Sequence, residues 1–272
     1  MCFRFKSKII AISSVVEGPT AKAYAIEICK KFSNERIKGI FVRSRKVFAP
    51  VEEIVGRKFV KSDSIGKNIL FFFDCHIVIR VHLMMYGVIH VYKADEPLLK
   101  PMDRVRLMLI GDSRKIVIYN APIVEIGLRD QVLGRLKTEL GPDPLSDEWD
   151  EERVYENITK FREEKIGIVL LNQSVIAGIG NILRNEILFR VGVNPERKVG
   201  DLSPEEIHKI IYYAKELSRQ YLELKIQGKR IKDILRVYNR FSSICEICGH
   251  PIKFYRQKPI NRKTFVCENC QR

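Results

Sequence analysis

The run Val15-Val16-Glu17-Gly18-Pro19 decides how the rest of the chain is read. Gly18 and Pro19 suit a helix start. Ala25, Cys29 and Phe32 follow at i, i+4 and i+7, so the spacing predicts a helix over 19–33. Read alone, the run is a turn before that helix. It gains chemistry if the chain starts at Val15, read as an initiator residue that is later removed. Val16 then carries a free α-amine beside the Glu17 carboxylate. Such an amine has a pKa of about 7.7–8.0, so roughly 10–15% is neutral at pH 7, against well under ~0.1% for a lysine side chain. The neutral amine is the attacking form in imine chemistry, and Val16 with Glu17 makes a nucleophile beside an acid/base partner. On this reading residues 1–15 are an extension that is not in the active protein.

The 272 residues are enough for two modest domains. With 48 Lys and Arg against 33 Asp and Glu, the net charge is +15 and the pI near 9.5, a balance that points to a polyanion partner. The charge is uneven: residues 225–272 hold 12 Lys or Arg and only 3 acids. No apolar run reaches the ~18 residues of a membrane span. The run Ile9-Ile10-Ala11-Ile12 is too short for a signal peptide and no Ala-x-Ala site follows it.

Four of the seven cysteines fall in the last 28 residues as Cys245-x-x-Cys248 and Cys267-x-x-Cys270, with 18 residues between the pairs. Four thiolates at this spacing fit one structural Zn²⁺ closing a β-hairpin, with no open position for catalysis. Cys2, Cys29 and Cys75 are scattered free thiols. The pattern is that of a reduced compartment and predicts a cytoplasmic, nucleoid-associated or nuclear protein that is not secreted.

Between the first helix and residue 120, short apolar runs at 38–48, 68–74, 76–83, 86–92, 104–109 and 115–120 are separated by turn residues. Ile77, Ile79, Val81 and Leu83 alternate as one buried face, which predicts an antiparallel sandwich. Residues 141–156 hold seven acids, one Arg and two prolines and read as a linker into a solvated helix start. Helical patterns follow at 152–162, 166–174, 181–190 and 203–228. In Ala177-Gly178-Ile179-Gly180-Asn181, two glycines before a helix let the backbone approach a phosphate, with free N–H groups at the helix N-terminus. Met84-Met85-Tyr86, between two strands, can wedge into a base stack.

These residues resemble the formamidopyrimidine-DNA glycosylase and endonuclease VIII family, whose members begin Met-Pro-Glu-Gly-Pro or Met-Pro-Glu-Leu-Pro, with Val as first mature residue in one vertebrate branch. The resemblance runs from residue 16 to residue 272. It implies an α+β fold: an N-terminal catalytic helix on an antiparallel β-sandwich (16–135), a linker (136–151), a helix–two-turns–helix domain (152–236) and a zinc finger (237–272). It implies that the Val16 amine attacks C1′ of a damaged nucleotide with Glu17 assisting. Ser64-Ile65-Gly66-Lys67 resembles the family's Arg-Gly-Lys loop, which places Lys67 at a phosphate beside the lesion and with the catalytic set. Leu170-Leu171-Asn172-Gln173 through Phe189 resembles the helix–two-turns–helix, which makes Asn181 a phosphate ligand. Arg262-Lys263-Thr264-Phe265 resembles the hairpin whose arginine enters the minor groove. His82 to Gly87 resembles the turn whose residue at Met85, beside Tyr86, fills the gap left by a flipped nucleotide, and makes His82 structural.

Four departures stand out, the gravest being the 14 residues before Val15, since an internal Val16 is an amide and cannot attack. Residues 119–125 lie where formamidopyrimidine enzymes carry the Arg-Phe pair that contacts the orphaned base; Ile166-Gly167 lies where they have Ile-Lys; both are similar to endonuclease VIII. Thr20 replaces an acidic residue. The implied activity is a bifunctional glycosylase and lyase that removes oxidised bases, pyrimidines and ring-opened purines above all, and cuts the strand by β- or β,δ-elimination. The implied partner is damaged DNA, double-stranded and also single-stranded, bound by a monomer away from membranes and without a soluble cofactor. The alternative is a non-catalytic damaged-DNA-binding protein on the same scaffold, if the extension blocks the amine. A zinc-hairpin transcription or ribosomal factor ranks last, because it leaves Val16 to Pro19 unexplained.

Overall fold

The computed structural model describes residues 16–272; the extension expected over residues 1–15 lies outside them. Helix α1 spans Gly18–Phe32, with Pro19 in its first turn and Lys30 and Lys31 in its last, where cations suit the negative end of the helix dipole. Nine strands follow: β1 Gly39–Val42, β2 Lys46–Val47, β3 Phe59–Ile65, β4 Asn68–Phe73, β5 Ile77–His82, β6 Val88–Lys93, β7 Val105–Ile110, β8 Arg114–Tyr119 and β9 Ile123–Leu128. They form two sheets, a four-stranded one in the order β1-β7-β8-β6 and a five-stranded one in the order β2-β9-β5-β4-β3. All pairings are antiparallel except β2 with β9.

The sandwich core is the alternating inner face of both sheets, with Phe71, Ile79, Val81, Leu107, Ile116 and Ile118 fully buried. Helix α1 closes it through Ile28 and Phe32, the latter edge-on to Phe59 at 5.2 Å. The polar composition of β3, Phe-Val-Lys-Ser-Asp-Ser-Ile, hides it from a periodicity search. The reason lies in packing: Ser62 is small enough to let α1 approach, and its hydroxyl donates to the Ala25 carbonyl at 2.6 Å. Strand β9 is hidden by Pro122 before it and Glu125 within it. Glu125 is buried but takes hydrogen bonds from Arg80 (2.8 Å) and Arg135 (2.6 Å), so its burial is compensated. The run expected as one strand over 38–48 is two, β1 in one sheet and β2 in the other.

Helix α2, Arg129–Glu139, covers the outer face of the five-stranded sheet through Val132 and Leu136 against Leu70 and Val78. It straddles residue 135, where the sandwich was expected to end. A second core gathers α3 Glu151–Thr159, α4 Ile166–Val169, α5 Asn181–Val191 and α6 Pro204–Ile226. Helix α3 is capped by Asp150 and α6 by a Ser203–Glu206 capping box. The helix expected over 166–174 ends at Val169; hydrogen-bonded turns carry the chain on to α5. The last 20 residues hold the hairpin of β10 Lys253–Gln257 and β11 Arg262–Val266. No helix among the described residues is long and apolar enough to cross a membrane.

The two cores meet where Gly18 touches Gly178. The Gly18 amide donates to the Gly178 carbonyl at 2.9 Å, and a Cβ on Gly18 would sit 2.9 Å from the Gly178 Cα. Gly178 itself has φ +87°. Gly18→Ala should therefore force backbone apart, at a cost of about 1–3 kcal/mol for over-packing. A urea unfolding midpoint equal to wild type would show that the contact yields freely.

Candidate active site and nucleic-acid interface

Glu17 immediately precedes α1 and is completely buried. Its carboxylate accepts the Ile182 amide at 2.6 Å and the Leu183 amide at 3.2 Å, two of the free N–H groups at the start of α5. Hydrogen bonds to a charged group are worth about 1.5–3 kcal/mol each, and a helix N-terminus adds up to ~2 kcal/mol. Removing a carboxylate from water costs several kcal/mol. Burial prevails: the pKa of Glu17 stands above the ordinary carboxylate value, although Lys67 and the helix amides pull it down. Gly180 makes this possible, because a Cβ there would lie 2.5 Å from the Glu17 carboxyl carbon. Val16, which precedes Glu17, is buried in the core cluster beside α1.

Lys67 sits in the turn between β3 and β4. Its ammonium donates to the Ile179 carbonyl at 2.8 Å, on the same glycine turn. Burial lowers its pKa and the neighbouring Glu17 raises it, with a net fall; Arg262 adds to the fall. Glu17, Lys67 and Arg262 are thus electrostatically coupled, and Asn181 joins them by donating to the Lys263 carbonyl at 2.9 Å. His82 lies close enough to Lys67 to feel its charge. Its pKa is lowered to about 4, chiefly by burial, so its ring is neutral near pH 7. Its Nδ1 accepts the Met84 amide at 3.1 Å and fixes the turn that follows. Met84, Met85 and Tyr86 project from that turn with 44%, 46% and 70% of their surface exposed, and Met84 takes a left-handed φ of +49°.

The sulfurs of Cys245, Cys248, Cys267 and Cys270 all lie within 4.8 Å of one another, with Cys245 and Cys270 at 3.8 Å and Cys248 and Cys267 at 3.4 Å. A tetrahedron of Zn–S bonds about 2.3 Å long needs S–S separations of about 3.8 Å, so the four could hold one zinc ion. The hairpin beneath is locked to α5. Arg184, completely buried, donates to Gln257 (2.7 Å), Thr264 (2.8 Å) and the Lys263 carbonyl (3.0 Å), and the Asn185 side-chain Oδ1 accepts the Phe265 amide at 2.8 Å. Burial brings the Arg184 pKa down to about 10, which leaves it charged near pH 7. Glu186 receives the amides of Arg236, Val237 and Tyr238.

Reading by residue type misses Arg184, Asn185, Glu186 and Asp143 as positioning residues. Their signal is a polar triplet, Arg-Asn-Glu, inside the otherwise apolar Ile182 to Phe189 stretch. Asp143 belongs to the stretch read as a linker, yet it is buried and accepts the Gly66 amide at 2.7 Å, which anchors the turn carrying Lys67. Thr20 is buried, and its hydroxyl lies 3.4 Å from that of Tyr221 on α6.

Residues 15–121 match the family model described as the formamidopyrimidine-DNA glycosylase N-terminal domain, and residues 140–233 match the formamidopyrimidine-DNA glycosylase H2TH domain. A formamidopyrimidine-DNA glycosylase of Syntrophomonas wolfei is 30% identical over 87% of this chain and 92% of its own length. A protein of Streptomyces coelicolor named probable endonuclease 8 2 is also 30% identical, over 80% of this chain and 81% of its own. The formamidopyrimidine-DNA glycosylase of Lactococcus lactis, solved non-covalently bound to DNA containing an abasic site, superposes with a TM-score of 0.83 at 25% identity, over 94% of this chain and 99% of that one.

Cys245→Ser should weaken zinc binding by more than the roughly 10–100-fold that loss of an outer-shell partner costs, while Arg262→Ala leaves it unchanged. Competition with a chromophoric chelator measures both. Equal zinc affinity in Cys245→Ser and wild type would remove the thiolate from the site.

Proposed function

The chain belongs to the formamidopyrimidine-DNA glycosylase family of DNA repair enzymes, and we propose that it is a bifunctional glycosylase and lyase acting on oxidised bases. The observation that carries this reading is the Glu17 carboxyl group, buried beside Val16 and Lys67 and held by the first amides of α5. In the form of the protein that begins at Val16, the neutral α-amine attacks C1′ of a nucleotide flipped out of the duplex. The glycosidic bond breaks and the base leaves with a proton. Glu17, whose raised pKa lets it hold a proton above the usual carboxylate range, protonates the sugar ring oxygen as the ring opens to a Schiff base. Loss of a proton from C2′ then breaks the C3′–O bond by β-elimination.

Lys67, Asn181 and Arg262 supply phosphate and minor-groove contacts that fix register without reading sequence. Met85 and Tyr86 fill the vacated stack. The four cysteines would hold a structural zinc that keeps the hairpin in place; Arg184 and Asn185 tie the same hairpin to α5, so that Arg262 is presented from a rigid base. Damaged duplex DNA is the proposed partner, bound by a monomer.

The substrate preference follows from residues 119–125. Ala121 to Val124 carry no charge, and Glu125 is buried against Arg80 and Arg135, so this segment offers an orphaned base no free charged side chain. A good bidentate base contact discriminates by about 1–3 kcal/mol; without one, oxidised pyrimidines and ring-opened purines should be excised faster than 8-oxoguanine, with little regard to the opposite base. Glu17→Gln should bind the same DNA as wild type but excise roughly 10²–10⁴ times more slowly. Single-turnover excision of thymine glycol, a ring-opened purine and 8-oxoguanine, each opposite all four bases, tests both points. Excision by Glu17→Gln at the wild-type rate removes Glu17 from the mechanism, and a strong preference for 8-oxoguanine opposite cytosine overturns the substrate assignment.

A further inference from the structure

An open cleft of about 540 Å³ lies at the end of the sandwich nearest the Met84 to Tyr86 turn, lined by Arg43, Tyr86, Asp103, Arg104, Arg106 and Asn120. Backbone contacts gather these residues from three strands of one sheet. The Arg43 amide, just beyond β1, donates to the Arg106 carbonyl at 2.8 Å, and the Asn120 amide, just beyond β8, donates to the Arg104 carbonyl at 2.9 Å. Asn120 turns the chain with a left-handed φ of +53°. The pairing of β7 with β8 shifts register between Val105 and Leu107, so Arg106 sits at a bulge, a device that re-aims a side chain away from the regular alternation.

The charges in this cleft do not balance. Asp103 is its single acid. The Asp103 carbonyl takes the Arg43 guanidinium at 2.6 Å, and its carboxylate stands 3.6 Å from the Arg104 Nε. The Arg106 Nε is buried and has no hydrogen-bond partner among the described residues. Three guanidinium groups around one concavity suit an anion with several oxygens spaced along it.

The place of the cleft selects which anion. The Met84 to Tyr86 turn crosses from β5 in the five-stranded sheet to β6 in the four-stranded sheet. Lys67 and Glu17 gather on the five-stranded side; the three arginines of the cleft come from the ends of strands of the four-stranded sheet, and Tyr86 of the crossing turn forms part of its wall. We infer that Arg43, Arg104 and Arg106 hold phosphates of the DNA strand opposite the lesion, across the wedge from the reacting strand. This assignment rests on the proposed DNA reading. It gives this chain a grip on the second strand in place of the missing Arg-Phe pair, through groups that carry no sequence information.

The test is equilibrium binding of Arg104→Gln and Arg106→Gln, by fluorescence anisotropy across a salt series. The DNA carries a stable abasic analogue, in duplex opposite each of the four bases and as a single strand. Each variant should weaken duplex binding several-fold, on the order of 3–10, and reduce the slope of log affinity against log salt by about one. The loss should be the same opposite every base, and single-strand affinity should stay at the wild-type value. Arg106→Lys, which keeps the charge, should restore most of the slope and shows that the bulge still folds. Unchanged duplex binding overturns the assignment. So does an equal loss on single strands, which would put the arginines on the damaged strand, and so does a loss confined to one opposite base, which would make them base readers. Failure of the wild type to bind any of these DNAs would instead sink the DNA reading itself.

Discussion

A buried carboxylate at the start of a helix holds this molecule together at its functional centre. Glu17 belongs to the sandwich half of the chain and α5 to the helical half, and the Ile182 and Leu183 amides clasp one to the other. The clasp tolerates no side chain at Gly180 and little separation at Gly18 and Gly178, where two backbones are in van der Waals contact. Steric necessity thus fixes three glycines around one acid. The same clasp sets the acid's chemistry, because a group fully removed from water holds its proton to higher pH than its exposed counterpart, even with amides and an ammonium beside it.

Everything else that touches the centre is positioned from a distance. Lys67 reaches it because Asp143, from a segment far along the chain, anchors Gly66. Arg262 reaches it because Arg184 and Asn185 pin the hairpin to α5 from below, while the cysteine cluster closes the hairpin from behind. The hairpin's own core is small: Phe189, Val237, Ile252 and Phe265 with the buried cysteines. A module of that size cannot rely on apolar burial alone, which is why charged groups buried in hydrogen-bonded networks and a metal-ligand set appear together there.

Much of this was legible in the sequence. The order of sandwich, helices and cysteine hairpin follows from period-2 runs, period-3.6 runs and Cys-x-x-Cys spacing, and the family resemblance was carried by Glu17-Gly18-Pro19, the glycine turn and the hairpin together. The failures share a cause. Strand β3 is polar in composition because Ser62 makes room for a helix, and strand β9 carries one buried acid, Glu125, that two arginines neutralise; neither reason is local in sequence. Helix α4 ended early because turns at 170–180 must swing the chain back to Glu17. Arg184 and Asp143 look like surface residues by type; only the fold shows that they are buried with partners. The arginine cleft was invisible because its members come from three strands and a bulge.

The central claim is that this clasp presents an amine at Val16 to a sugar carbon while Lys67 beside it stays a positioning charge. Cyanoborohydride reduction of the protein on abasic-site DNA, followed by digestion and mass mapping of the adduct, addresses that claim directly. For the protein beginning at Val16, the account predicts the deoxyribose remnant on the Val16 α-amine, and no adduct when residues 1–15 precede it. An adduct on the Lys67 side chain, or equal yield with residues 1–15 in place, would contradict it.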